Sequence, residues 1–174
     1  MHLRRTQKLL RAIGNPPLPG TEEVPGQEGL GNWYANLIRI DRKKCLLFTN
    51  EMTLYSFLIP AFGKQNLNNL IDEFLINLNL NLQAEGFNVE VINKVMQGYQ
   101  DIGFTRTANR QILVVMNEFA FQYEFFIKRE GGIENVRILG VTKQINRTPV
   151  SPLKYRYPVD GLKTLCMTSS NVTK

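Results

Sequence analysis

The chain has 174 residues, of which 43% are hydrophobic and 21% charged, a composition typical of one globular domain with a sizeable core. Its formal net charge of +6 permits attraction to phosphate groups, although basic residues cluster only in RRTQKLLR and RIDRKK. The sequence has neither an apolar run long enough to span a membrane nor a secretion signal, so we expect a cytoplasmic protein without membrane contact. The two cysteines, Cys45 and Cys166, lack the spacing of a metal site or a disulfide framework.

The first predicted elements are short. An edge strand is expected at residues 3–5, followed by a helix that Thr6 caps and Gly14 ends. The next stretch, NPPLPGTEEVPGQEGLG, is rich in proline and glycine, so it predicts an irregular loop over residues 15–32. We expect one globular domain over residues 1–168 and a frayed tail over residues 169–174.

From Trp33 onward the pattern changes to that of β-strands. WYANLIRI, KCLLFTN and TLYSFLIPAF are rich in β-branched and aromatic residues, and short turns at residues 41–43 and 51–52 separate them. Pro60 should end or bulge the third strand, because proline has no backbone donor for the ladder. The pattern therefore predicts a three-stranded antiparallel meander.

The second half of the chain is predicted to be helical. Apolar side chains in residues 67–82 follow the three-four spacing of a helix face, although LNLNL alone is also consistent with a strand. Asn88 should cap a shorter helix that ends near Gly98, and a long helix is expected over residues 109–130. IENVRILGVTKQINRTP is either a strand followed by a helix or a helix alone, and a last short helix follows. We expect an α+β fold in which a small antiparallel β-meander packs against a mainly helical C-terminal half.

The long helix carries two polar pairs, Asn109 with Arg110 and Asn117 with Glu118, in an otherwise apolar sequence. At about 100° per residue, one broad face collects mainly apolar side chains: Ile112, Met116, Phe119, Ala120, Tyr123, Phe126 and Ile127. The opposite stripe holds Arg110, Val114, Asn117, Phe121, Phe125 and Lys128. A helix that is apolar on nearly every side is usually buried on two sides. The helix is thus expected to be central in the domain or to form half of a homo-oligomer interface.

The polar side chains of this helix have two interpretations. They satisfy backbone groups of neighbouring loops, for example around a second pair, Asn146 with Arg147, as buried polar groups generally do. Alternatively, they line a pocket for an anionic or planar ligand, because a guanidinium can grip phosphate or carboxylate and an aromatic ring offers a stacking face. The residues of this hypothetical pocket are Arg110, Asn117, Arg147, Trp33 and Tyr155.

Several kinds of chemistry are disfavoured. The only histidine, His2, lies at a terminus that normally frays, so histidine-based triads, metal sites and general-base mechanisms are not expected. No phosphate-binding loop, dinucleotide-binding motif, nucleophile elbow or zinc pattern is present, and we expect neither a cofactor nor a metal. The carboxylates that could still act as acids or hold Mg²⁺ are Asp41, Glu51 and Glu118, whose generic spacing favours turn and surface roles.

The succession NWYANLIRIDRKKCLLFTNEMTLYSFLIP, TANRQILVVMNE and INRTPVSPLKYRYP resembles a family of uncharacterised bacterial proteins known as a domain of unknown function. The family pattern has a W-x-A-N strand, a T-N-x-x-T turn and an N-R-S-x-x-G-x-M-N-D helix. It closes with a segment in which N-x-x-P is followed by Y-x-x-P. The resemblance covers nearly the whole chain. It places the family's polar signature on Trp33, Asn36, Asn50, Thr53, Asn109, Arg110, Asn117, Glu118, Asn146, Tyr155 and Pro158.

Two departures from the family pattern occur in the long helix, where Gln111 stands for a serine and Val114 for a glycine. If that glycine lets a ligand approach the backbone, Val114 partly closes the approach. The resemblance implies a small accessory gene of bacterial genomes and mobile elements, and it implies no activity.

We expect a non-enzymatic binding protein that recognises an anionic ligand or partner through Arg110 and Asn117. The alternatives are a histidine-free, metal-dependent nuclease or hydrolase acting through Glu118, and a nucleic-acid-binding accessory protein acting through the two basic clusters.

Overall fold

The structure is a computed structural model that describes residues 1–12, 30–60, 63, 69–107, 109–154 and 156–170. Residues 169 and 170 are described by their backbone alone. Its strands are β1 (His2–Arg5), β2 (Trp33–Ile40), β3 (Lys43–Asn50), β4 (Ser56–Ile59) and β5 (Gly103–Arg106). Its helices are α1 (Gln7–Ala12), α2 (Leu70–Ala84), α3 (Val89–Gln97), α4 (Arg110–Arg129), α5 (Ile138–Ile145) and α6 (Pro158–Ser170), with a 3-10 turn at Ser151–Leu153. Most of the predicted 15–32 loop and the 171–174 end of the tail lie outside the described residues.

The five strands form one mixed sheet in the order β4-β3-β2-β1-β5. The predicted antiparallel meander is present as β2, β3 and β4, and its first turn is a two-residue hairpin in which Asp41 and Arg42 have positive φ. The expectation of a purely antiparallel sheet was wrong, because β1 pairs in parallel with both β2 and β5. The strand expected at the edge is thus an interior strand. Its partner β5 was not predicted because GFTR is too short to show alternation.

Helices cover the sheet on both sides, as the alternation of side chains along β2 requires. Trp33, Ala35 and Leu37 point to one side, here called the back face, where α2, α3 and α6 pack. Tyr34, Ile38 and Ile40 point to the other side, called the front face, where α4 and α5 pack. The sheet, rather than the long helix, is therefore central in the domain.

The helix boundaries follow local signals. LNLNL is helical as expected, because it lies within α2, whose Phe74, Leu78 and Leu82 are fully buried. The Asn88 side chain accepts a hydrogen bond from Val91 N at 2.9 Å and so caps α3, as predicted. Among the described helices, none combines the length and apolar character needed to cross a membrane.

Candidate ligand-binding groove

A groove opens where the chain leaves two neighbouring parallel strands in opposite directions. After β1 the chain turns to the back face, where Leu9 of α1 joins the core. After β5 the chain turns to the front face, where α4 packs. In sheets with helices on both sides, such divergence leaves a crevice outside the carboxyl ends of the strands, and ligands commonly bind there.

The groove has a volume of about 590 Å³, within the range of small-molecule sites. Its walls come from the residue after β1 and the start of α1, from β2, from the residue after β5 and from one side of α4. Six of the lining residues carry its chemistry: Thr6, Lys8, Asn36, Arg39, Asn117 and Phe121. The groove therefore brings together Asn36 and Asn117, which are distant in sequence and were both singled out there.

The two asparagine amides of the groove have spare hydrogen-bonding capacity. The Thr6 hydroxyl donates to Asn36 Oδ1 at 2.9 Å and also accepts from Leu9 N at 3.3 Å, which fixes the start of α1. Asn36 Nδ2 donates to no residue in the described part of the chain, and the exposed Asn117 makes no side-chain hydrogen bond there either. Each amide can thus donate and accept toward a bound molecule.

The charges at the groove are mostly positive. Lys8 belongs to the first basic cluster and Arg39 to the second, so the fold brings the two clusters to one place. In the described part of the lining there is one carboxylate, that of Glu124, which accepts a hydrogen bond from Lys128 Nζ at 2.6 Å. Its negative charge is therefore largely compensated by a neighbour on the same helix.

The outer side of α4, which carries Arg110 and Asn117, is exposed to solvent and also borders the groove. The large apolar side chains there keep substantial exposure: Val114 57%, Phe121 71% and Phe125 54%. Arg110 is also exposed, and it stands seven residues before Asn117 on the same line of the helix. Arg110 lies one turn beyond the groove rather than among its lining residues.

Arg147 lies elsewhere and is engaged by a carboxylate. Its Nη1 and Nη2 donate to Glu85 Oε1 at 3.2 Å and Oε2 at 2.6 Å, a two-point ion pair whose carboxylate is completely covered. Tyr55 donates its hydroxyl to the same Glu85 Oε1 at 3.2 Å. The hydrogen bond that Arg147 donates to Glu85 raises the pKa of Arg147, while burial, followed by the Glu85 charge, raises the pKa of Tyr55.

Four of the predicted polar residues organise backbone. The side-chain Oδ1 of Asn50 accepts from Met52 N, Thr53 N and the Thr53 hydroxyl, and so shapes the turn between β3 and β4. Asn109 caps α4 by accepting from Gln111 N at 2.9 Å. Asn146 is fully buried and bonds to the backbone of Ser56 in β4. These contacts agree with the interpretation that buried or capping polar groups satisfy neighbouring loops.

Two more residues were predicted to line the pocket. Trp33 is completely buried in the back-face core, where its Nε1 donates to the Tyr99 hydroxyl at 2.8 Å. Tyr155 lies outside the described residues. The described contacts therefore do not bring the predicted pocket residues together at one site. Asn117 lies at the front-face groove and Arg110 lies about two helical turns before Asn117, while Trp33 and Arg147 have partners elsewhere.

The candidate acids lie apart from one another. Asp41 accepts from Ile133 N at 2.9 Å, Glu51 accepts from Asn32 Nδ2 at 2.9 Å, and Glu118 is exposed on α4. Within the described ranges no three histidine, cysteine or acidic side chains are grouped as a metal site would need. His2, expected to fray, instead belongs to strand β1, and its backbone N donates to Asn32 Oδ1 at 2.9 Å.

Comparison with known families gives one match, to a family model described as a domain of unknown function (DUF6933), and it covers residues 2–161. The chain belongs to the DUF6933 family. The resemblance seen in the sequence is thus confirmed at the level of the family, which brings no assigned activity with it. No curated protein matches the chain.

Only some of the groove residues of this DUF6933 domain could be predicted from its sequence. Asn36 came from the family pattern, and Asn117 and Phe121 came from the helical stripe. Lys8 and Arg39 were seen only as members of basic clusters, with nothing to show that the clusters meet. Their meeting depends on β1 lying beside β2 in parallel, a pairing that periodicity within each strand does not indicate.

Proposed function

We propose that this DUF6933 domain is a small bacterial, cytoplasmic binding protein without enzymatic activity, which recognises an anionic ligand or partner in the groove between α1, β2 and α4. The observation that carries the proposal is the convergence of Lys8, Arg39, Asn36 and Asn117 at the diverging ends of β1 and β5. The cations supply attraction, and the amides supply directional hydrogen bonds.

The proposal favours binding over catalysis for a chemical reason. Among the described residues, the groove offers amides, hydroxyls and cations, and the one acid in their number, Glu124, is engaged by Lys128. A general base or a nucleophile activated by a neighbour would need a different set of groups. The amides, hydroxyls and cations of the groove bind and orient a ligand, but they do not move its protons.

The test is native mass spectrometry of protein purified gently, without nuclease or chelator, which reports bound molecules and subunit number together. Asn117→Asp keeps the shape of the side chain and adds a negative charge inside the groove. Gln144→Glu adds the same charge on the exposed surface of α5 and serves as the control. We expect a bound anionic mass in the wild type and in the control, and its loss in Asn117→Asp. If both variants keep the bound mass, the ligand binds outside the groove.

Self-association through the exposed stripe of α4 is an alternative to ligand binding at Phe121, because a dimer that covers Val114 and Phe125 covers Phe121 as well. Its support is the exposure of Val114, Phe121 and Phe125 on one stripe, since contiguous apolar surface often marks an interaction site. Sedimentation equilibrium should then show a concentration-dependent dimer that Phe125→Glu converts to monomer. A wild type that stays monomeric at high concentration rules this alternative out and leaves the groove unaffected.

A further inference from the structure

We infer that the groove of this DUF6933 domain takes single-stranded nucleic acid, with an unpaired base against Phe121 and the phosphate backbone at Lys8 and Arg39. The inference rests on the proposed function and names the chemical class of its anionic ligand. It depends on three features that the groove combines: an exposed aromatic ring, two amides and a pair of cations.

The aromatic ring is Phe121, which is 71% exposed although it is large and apolar. It lines the groove beside Asn117, whereas Phe125, four residues later on the same helix, is exposed without lining it. Proteins that bind single strands stack bases on such rings, and stacking tolerates any base because every base has a flat face. The bases of a duplex are already stacked and paired, so the ring selects for an unpaired strand.

The amides give the groove a means of contacting the edge of a stacked base. Asn36 keeps Nδ2 uncommitted while its Oδ1 accepts from Thr6, and Asn117 keeps both ends of its amide available within the described structure. An asparagine amide can donate to and accept from a base edge at the same time. A simple inorganic anion would use the donors but leave the amide oxygens without a role.

The charge of the groove suits a phosphate backbone. Lys8 of α1 and Arg39 of β2 both line the groove, and Glu124, the acid among the described lining residues, pairs with Lys128. The formal net charge of +6 adds a general attraction to polyanions. An acidic peptide shares this attraction but has no base to cover Phe121.

The experiment is fluorescence anisotropy of the full chain with a labelled, mixed-sequence single-stranded oligonucleotide, the same sequence as a duplex, and a mononucleotide as competitor. We expect preference for the single strand and affinity that weakens steeply with salt. Phe121→Ala should weaken binding by about 5- to 100-fold, the loss of one stacked base, and Phe125→Ala should leave it nearly unchanged. Both side chains are exposed, and circular dichroism will verify that both variants fold.

Three results would overturn the inference. Equal effects of Phe121→Ala and Phe125→Ala, or equal affinity for the duplex, would reduce the binding to unspecific charge attraction. Full competition by the mononucleotide at oligonucleotide-like affinity would assign the groove to a free nucleotide. Absence of oligonucleotide binding, combined with an anionic mass that Asn117→Asp abolishes, would reject the inference and retain the proposed function. If that mass is also absent, both fail.

Discussion

The side chain of Asn146 pairs with Ser56 in the way that a neighbouring strand would. Asn146 Oδ1 accepts from Ser56 N at 2.8 Å, and Nδ2 donates to Ser56 O at 2.7 Å, with both residues fully buried. Ser56 belongs to β4, the strand at one end of the sheet, whose outer backbone groups have no strand partner among the described residues. A buried edge needs such partners, and one amide side chain at the end of α5 supplies them.

Replacing Asn146 should therefore destabilise the domain. Within the described structure, Asn146→Ala removes three hydrogen bonds, leaves the N–H of Ser56 buried and unsatisfied, and leaves its C=O with a single long bond, 3.4 Å, from the Tyr123 hydroxyl. We expect the free energy of unfolding to fall by about 2–4 kcal/mol, measured by urea denaturation. The control is Asn135→Ala, an exposed asparagine that makes one backbone bond near a helix end, with an expected loss of about 0.5 kcal/mol or less. Similar losses in the two variants would contradict the role assigned to Asn146.

Arg147 is expected to contribute to stability through Glu85. Arg147→Met leaves a carboxylate that is covered completely and has lost its cation, although Arg147 itself is 44% exposed and solvent moderates the effect. We expect a loss of about 1–2 kcal/mol, most of which the second change in Arg147→Met with Glu85→Gln should restore. The measurement is a double-mutant cycle in denaturant. An Arg147→Met variant that keeps full stability but loses a bound ligand would instead return Arg147 to the predicted ligand-binding set.

Substitution by valine at two buried threonines should change the free energy of unfolding in opposite directions. Thr49 is fully buried in β3, and its hydroxyl has no hydrogen-bond partner in the described structure. Thr142 is equally buried, but its hydroxyl lies 3.0 Å from that of Tyr123. Thr49→Val should raise the free energy of unfolding by about 1 kcal/mol, because it removes an unsatisfied polar group. Thr142→Val should lower it by about 1–2 kcal/mol. Losses of similar size in both would mean that the Thr49 hydroxyl is satisfied in solution, for example by a buried water.

The sequence predicted those parts of the fold whose signals are local. The meander, the cap at Asn88 and the long helix all follow from residues that are neighbours in the chain. The parallel pairing of β1 with β2 and β5 depends on contacts between distant segments, and neither short strand has a distinctive pattern of its own. The predicted ligand set mixed two roles for the same reason. Asparagine at a cap, at a buried edge and in a groove looks alike in sequence, and only its partners tell the three apart.

Alkaline pH should unfold this domain, because burial raises the pKa of Cys166 to about 12 and also raises the pKa of Tyr55, Tyr99 and Tyr123. In the unfolded chain these groups ionise near their ordinary values of about 9 to 10. Between those values and the raised ones, the native state retains protons that the unfolded state has released, so stability falls as pH rises. The contribution is intact below about pH 8.5, and each group then costs about 1.4 kcal/mol per pH unit within its window.

Denaturant titrations at steps from pH 7 to 11 measure this loss, and Cys166→Ala isolates the contribution of the thiol. The difference between the variant and the wild type at pH 7 gives the packing cost of the smaller side chain, which does not depend on pH. Above pH 9 the free energy of unfolding should fall less steeply in Cys166→Ala than in the wild type, since one ionising group has been removed. Parallel curves across the whole range would mean that Cys166 ionises alike in the folded and unfolded chains, which its near-complete burial against the back-face core argues against.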